Sequence, residues 1–256
     1  MFKYIGFIFH IMNEFRDNFG DGFQQKSKYI RNKLPRHALD WSRKPKPFKT
    51  YPDAVKKINL PAPKFDETIQ FWSVIKNRHS TRKFTEEPLS FMDLSLLLFG
   101  MSGLNRIFPQ FSFRTVPSAG GLYPIEIYPV VNNVMNLQGG LYHYDIQKHS
   151  IELLKEGDFR RKVAEGCLDQ KMVFNSAVNF IWTAVIGRSQ WKYLQRCYRY
   201  IYLDVGHIGQ NFYLIAEALG LGACTIGALY DDELNQFLEI DGKNETTIYV
   251  GVIGKI

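Results

Sequence analysis

The sequence predicts an α+β domain, a mixed central β-sheet flanked by helices, and three observations carry that expectation. Segments 125–131, 140–144 and 149–154 read as strands, while 177–186 is almost wholly apolar, as a strand buried on both faces is. A periodic stretch over 189–219 reads as one long helix closed by Gly220 as its left-handed C-terminal residue. Of 256 residues, 45% are apolar and 15% aromatic, which suits a packed globular core and argues against a disordered chain.

The elements follow in order. Residues 13–64 are polar and basic, punctuated by Pro45, Pro47, Pro61 and Pro63, and predict an extended arm with at most one helix. The domain proper is expected over 65–256, with 1–64 as the arm. Residues 66–77 have helical spacing. Ser90-x-x-Asp93 before Leu94, Leu97 and Leu98 reads as a capped helix start, and Gly100 and Gly103 as its stop. Segments 140–144 and 149–154 pair as a hairpin, 158–168 is a short helix, 231–238 another, and 246–253 a last strand.

Charge is unevenly placed. Residues 1–64 hold 14 Lys and Arg against 5 Asp and Glu, a net +9, whereas the remainder is at −2. A basic arm suits nucleic acid, an anionic membrane or an acidic peptide. No nucleic-acid-binding signature accompanies it, so no nucleic-acid partner is expected. No run reaches membrane-spanning length, so no membrane partner is expected either. The apolar stretch 1–12 is short and lacks a small-residue cleavage site, which argues against a signal peptide; a start misplaced upstream of Met12 accounts for it equally well. Three cysteines, Cys167, Cys197 and Cys224, have no metal-ligand spacing and suggest reduced thiols in a cytoplasmic protein. The 20 Phe and 14 Tyr fit a filled core, or a ring-rich pocket or interface.

Four strings carry chemistry. Arg78-His79-Ser80-Thr81-Arg82-Lys83-Phe84 offers two guanidinium groups four residues apart, with a hydroxyl and an imidazole, suited to a phosphate. Taken alone it is equally a solvated basic turn. The string 114–126, Arg-Thr-Val-Pro-Ser-Ala-Gly-Gly-Leu-Tyr-Pro-Ile-Glu, contains small residues that let backbone approach a flat ligand. Trp191-Lys192-Tyr193 leads into Tyr-Arg-Tyr and Leu203-Asp-Val-Gly-His207. Within it Lys192, taken alone, reads as surface decoration, and His207, in an apolar helical neighbourhood, as a packing residue or one that supports the site from behind. The Gly220-Leu-Gly222 pair follows a helix instead of opening one, so the segment 219–230 is not a dinucleotide fingerprint.

Together, in this order, the strings resemble the SagB-type dehydrogenases of the nitroreductase-like FMN superfamily, which oxidise azolines in peptide natural-product biosynthesis. The resemblance spans about residues 20–256 and rests most on the thirteen-residue string 114–126. It implies an intertwined homodimer and FMN as cofactor. In it Arg78, His79, Ser80 and Arg82 hold phosphate, ribityl and pyrimidine edge, while Pro117, Ser118, Ala119, Gly120 and Leu122 cover a flavin bound mainly by the partner subunit. The segment 219–230 matches a turn in which Thr225, Ile226 and Gly227 lie against the isoalloxazine, and Lys192 and Tyr193 are the catalytic pair. Relatives with a longer tail gain a further basic phosphate contact; here Arg78 and Arg82 are expected to carry that role, with Lys255 as a further candidate that no motif supports.

The activity so implied is dehydrogenation of thiazoline or oxazoline rings to azoles in a modified peptide, with a cyclodehydratase as possible partner. Two alternatives stay open: an NAD(P)H-dependent nitroreductase-type enzyme acting on a small molecule, and a non-catalytic subunit of a peptide-modifying complex.

Overall fold

The computed structural model describes residues 18–34 and 37–256; the stretch 1–12 discussed above lies outside the described residues. Seven strands form one sheet: β1 (Lys56–Asn59), β4 (Ile125–Val131), β5 (Gly140–Asp145), β6 (Ser150–Glu156), β7 (Val178–Val185), β8 (Leu221–Ile226) and β9 (Glu245–Lys255), in the order β1-β6-β5-β4-β7-β9-β8. A separate hairpin pairs β2 (Leu104–Ile107) with β3 (Ser112–Arg114). The helices are α1 (Phe19–Lys26), α2 (Phe71–Asn77), α3 (Phe91–Ser102), α4 (Arg160–Gly166), α5 (Lys171–Asn175), α6 (Ile186–Tyr193), α7 (Cys197–Ala218) and α8 (Asp231–Leu238).

The α+β class is as expected, but neighbouring strands in the sheet are antiparallel throughout rather than mixed. The helical crossover from β7 does return β8 parallel to it, as such a connection must. Strand β9 is inserted between the two and runs opposite to both, so no parallel neighbours result.

Strand β7 shows why the core has two halves. Side chains alternate across a strand, so Phe180 and Trp182 enter a cluster under α3 and α7 with Leu97, Met101 and Phe212, while Ile181 joins Leu234, Phe237 and Val250 under α4, α5 and α8 on the other face. Each fully buried aliphatic side chain contributes about 1.5–3 kcal/mol. Helix α3 begins as read. The Ser90 hydroxyl accepts from the Asp93 amide at 2.9 Å and the Asp93 carboxylate accepts from the Ser90 amide at 3.1 Å, and Gly103, not Gly100, ends the helix.

Three local expectations are corrected. The helix over 66–77 starts only at Phe71, because the Asp66 carboxylate accepts from the Thr68 amide and hydroxyl and holds 66–70 as a turn. The helix over 189–219 is two helices, α6 and α7, separated by a 3₁₀ turn at Leu194–Arg196 whose Leu194 has φ +50° and ψ −139°. Residues 221–226, read as a turn, are edge strand β8. In addition, β1 lies inside the segment read as an arm yet is hydrogen-bonded to β6, with Lys56 opposite Leu153 and Asn59 opposite Ser150.

That segment is held by a buried polar network. Lys49 donates to the Tyr128 hydroxyl at 2.7 Å and to Glu245 at 2.5 Å, and the Tyr51 amide donates to Glu152 at 3.0 Å. Beneath them His143 bridges Glu126 at 3.0 Å and Glu152 at 3.1 Å, while Arg188 pairs with Glu126 from the other side. Buried ions persist only when paired. Burial opposes ionisation of Glu126, yet Arg188 and His143 hold its carboxyl down to about 2.

Candidate functional site

The loop that follows β3 is built by Arg114 and closed by Asp204. Arg114 is buried; its guanidinium donates to Ser102 at 3.1 Å and to the Pro47 carbonyl at 3.1 Å, and lies 4.7 Å over the Tyr123 ring. Burial lowers its pKa to about 10, partly countered by Glu126, so it remains a cation at neutral pH. Beyond it, Ser118 donates to one Asp204 oxygen at 2.5 Å and the Ala119 amide to the other at 3.1 Å, while the Tyr123 amide donates to Ser118 at 2.8 Å. Gly120 and Gly121 both have φ +65°, backbone that glycine adopts without strain. Pro117 is exposed and Leu122 is buried beneath the loop.

The Lys192–Tyr193 pair meets this loop. It lies at the C-terminal end of α6 rather than at a helix start, and the break at Leu194 ends the helix there. A Cβ on Gly120 would stand 2.6 Å from the Tyr193 hydroxyl oxygen and 3.1 Å from Lys192 Nζ, so only glycine fits between the loop and the pair. The Tyr193 ring packs at 4.5 Å on Tyr200. Burial, then the neighbouring Tyr200 and Asp204, push the Tyr193 phenol above its usual range, which keeps it protonated.

The phosphate-type string lies elsewhere on the chain. The Thr81 amide donates to the Ala223 carbonyl at 2.8 Å, laying residues 78–82 against β8. Tyr213 of α7 joins the parts: its hydroxyl is 2.9 Å from Ser80 Oγ and accepts from the Thr225 amide at 2.9 Å, and the Arg78 guanidinium lies 5.3 Å over its ring. Thr225 Oγ1 in turn bonds the Tyr249 hydroxyl at 2.5 Å. Among the described residues, Arg78 and Arg82 have no carboxylate partner, whereas Lys255 pairs with Asp93 at 3.6 Å. His79 is exposed, its Nδ1 2.8 Å from the Asn77 carbonyl. The Ile226 side chain points into the core, leaving only its backbone toward this end, and Gly227 is exposed directly after β8.

The strings therefore gather into two half-sites on one helix. Asp204 holds the 118–119 turn and, nine residues on, Tyr213 holds Ser80 and Thr225, about 13–14 Å further along α7. Among the described residues no hydrogen bond links the Asp204 cluster to the Tyr213 cluster. His207, read as a packing residue, is exposed on α7.

Asp204 and Tyr213 were not singled out from sequence. Asp204 left a signal, a carboxylate on the same helical face as buried Ile201, Val205 and Ile208, where an ion needs a partner. Tyr213 left none, since its hydroxyl finds Ser80 and Thr225 only once α7 packs on β8.

The chain matches the model of the nitroreductase family over residues 75–255. It is 36% identical over 174 residues to a nitroreductase-type protein of Methanocaldococcus jannaschii, covering 68% of this chain and 86% of that one. It is 28% identical over 145 residues to the trifolitoxin-processing protein TfxB of Rhizobium leguminosarum bv. trifolii, covering 55% of this chain and 39% of TfxB. A crystal structure of a nitroreductase-type protein from Anabaena variabilis superposes with a TM-score of 0.75 at 30% identity, covering 91% of this chain and 45% of that chain. With the sheet, the two half-sites and the match over most of its length in agreement, this chain belongs to the nitroreductase family.

Proposed function

We propose that the protein is an FMN-dependent dehydrogenase of SagB type that oxidises azoline rings in a modified peptide to azoles. The observation that carries this reading is the close approach of Gly120 to Lys192 and Tyr193, which joins the loop expected over the flavin to the pair expected to move a proton. The similarity to TfxB, a trifolitoxin-processing protein, supports a toxin precursor as the kind of substrate.

The residues present suit FMN. Arg78 and Arg82 are cations without carboxylate partners among the described residues, the Ser80 hydroxyl is at hand beside them, and positive-φ glycines leave the 120–121 backbone uncovered. FMN bound there would supply the two-electron acceptor for hydride leaving the azoline Cβ, with molecular oxygen as the terminal oxidant. The chain's part is positional and acid–base: the Lys192–Tyr193 pair would supply both the base that takes the Cα proton and the hydrogen bond that orients the ring. Asp204 holds the loop in register with both.

The two half-sites on one helix support a homodimer in which each cradle is completed by the other subunit. Exposed Phe71, Trp72 and Ile75 on α2 and exposed Tyr202 and Leu203 on α7 offer apolar surface for it. A cyclodehydratase that makes the azoline would be the functional partner.

The test is an absorption spectrum of the purified protein with identification of the released cofactor, followed by turnover of an azoline peptide. Lys192→Ala and Tyr193→Phe should abolish azole formation while FMN stays bound; full activity in both sinks the assignment. The relative from Methanocaldococcus jannaschii favours a second reading, an NAD(P)H-dependent reductase of small molecules. Robust NAD(P)H oxidation by the flavin-loaded protein, without action on azolines, would establish it.

A further inference from the structure

A cavity of about 900 Å³ opens between α1 and the end of α6, and Lys192 and Tyr193 stand on its wall. Phe19, Gly22, Phe23 and Lys26 face it from α1, the i, i+3, i+4, i+7 stripe of one helical side. Such a stripe normally packs on a core, yet Phe19 is 86% exposed and a Cβ on Gly22 would meet nothing within 4 Å. Helix α1 is nevertheless fastened. Arg199 donates to Ser27 Oγ at 2.8 Å and to the Gln24 carbonyl at 2.5 Å, and Arg196 donates to the Ser27 carbonyl. Arg196 also stacks 4.1 Å over the Tyr29 ring, and Phe23 packs edge-on against Tyr198. The helix is thus held at one edge, with its apolar stripe left facing an open space that ends at the Lys–Tyr pair.

The charge of the wall is one-sided. Lys26, Lys28, Lys192 and Arg196 line the cavity, and among the described residues no Asp or Glu does. The volume lies at the upper end of the range for ligand pockets, roughly 300–1,000 Å³, large for a single aromatic ring and suited to several residues of extended chain. We propose that this cavity is the docking groove for an acidic, apolar segment of the peptide substrate, with apolar side chains on the α1 stripe and carboxylates on the lysines. Bound there, the segment places the following residues at Lys192 and Tyr193. This inference rests on the peptide-oxidising reading above and adds the groove and the character of the segment that fills it.

The test uses the full-length, FMN-loaded protein and two fluorescein-labelled twelve-residue peptides, one alternating Leu or Phe with Asp or Glu, the other its Asn and Gln counterpart. Fluorescence anisotropy at low salt should show the acidic peptide binding on the order of tenfold tighter. Gly22→Trp, which fills open space, and Lys26→Glu with Lys28→Glu should each weaken that binding on the order of tenfold, with the flavin spectrum unchanged. Equal affinity for the two peptides, or affinity indifferent to both variants, overturns the groove. So does photocrosslinking of the bound peptide outside α1 and residues 192–196, or evidence that residues 1–17 of the chain itself fill the space. Azoline oxidation that proceeds equally well in Gly22→Trp overturns the groove and spares the reaction. Peptide bound in the groove but never oxidised upholds the groove and removes the reaction.

Discussion

Gly120 and Tyr193 are in mutual contact that only a glycine permits: a Cβ at residue 120 would lie 2.6 Å from the Tyr193 hydroxyl oxygen, on backbone with φ +65°. Gly120→Ala therefore adds a left-handed backbone cost of about 1–2 kcal/mol to a direct clash with the pair. The expected outcome is a loss of kcat on an azoline peptide on the order of tenfold or more, with FMN retained. Unchanged kcat would show that the loop and the pair work independently.

Asp204 ties the loop to α7 through Ser118 and the Ala119 amide. Asp204→Ala leaves two donors unpaired at a cost of about 1–3 kcal/mol, whereas Asp204→Asn keeps one acceptor. Kinetics should rank wild type above Asp204→Asn above Asp204→Ala in kcat. Equal rates in all three would remove Asp204 from loop positioning.

Arg78 and Arg82 are expected to hold the FMN phosphate. Losing a charge-assisted hydrogen bond costs about 1.5–3 kcal/mol, so Arg78→Ala and Arg82→Ala should each weaken FMN binding roughly tenfold to a hundredfold. Flavin-fluorescence titration reads this directly. Riboflavin, which lacks the phosphate, should bind wild type and variants alike; equal losses for both flavins would place the phosphate elsewhere.

The buried network gives a pH signature. Glu126 and Glu152 face His143 from either side, with Arg188, Lys57, Tyr51 and Tyr128 around them. Burial opposes the charged imidazole, but hydrogen bonds from the ring to Glu126 and Glu152 raise the His143 pKa. Its stabilisation is therefore complete below its ordinary value of 6.5 and is lost as pH rises through the higher folded value. Glu126, held to about 2, contributes stability above its ordinary 4.5 that is lost as pH falls toward 2. Thermal denaturation against pH should show the melting temperature falling on both sides of this window, and His143→Gln should flatten the alkaline side. Arg188→Met, which strands a buried carboxylate, should cost about 3–5 kcal/mol.

The elements legible before the structure were those whose pattern is local. The capping pair Ser90 and Asp93, the strand-forming runs of β4 to β6, the apolar run of β7 and the left-handed Gly220 after α7 all announce themselves within a few residues. The four chemical strings stood out by residue type and spacing, but their roles came only with the family resemblance, since an Arg-x-x-x-Arg pair taken alone is equally a solvated basic turn. Strand β1 was hidden because its residues, Lys56 to Asn59, look like an arm until β6 offers them an edge to pair with. The break at Leu194 was hidden because a leucine at φ +50° has no signature in sequence; it persists only where its surroundings over-determine it.

Sequence alone thus determined the class of fold and marked where the candidate strings lie, since propensity, periodicity and side-chain type are properties of short stretches. Which strings meet was left to tertiary structure. That Gly120 touches Tyr193, that Asp204 carries the 118–119 turn, and that Tyr213 links Ser80 to Thr225 all depend on α7 lying across the sheet. Contacts between residues scores of positions apart cost chain entropy that no local pattern reports, and the packing of two core faces around β7 is what repays it.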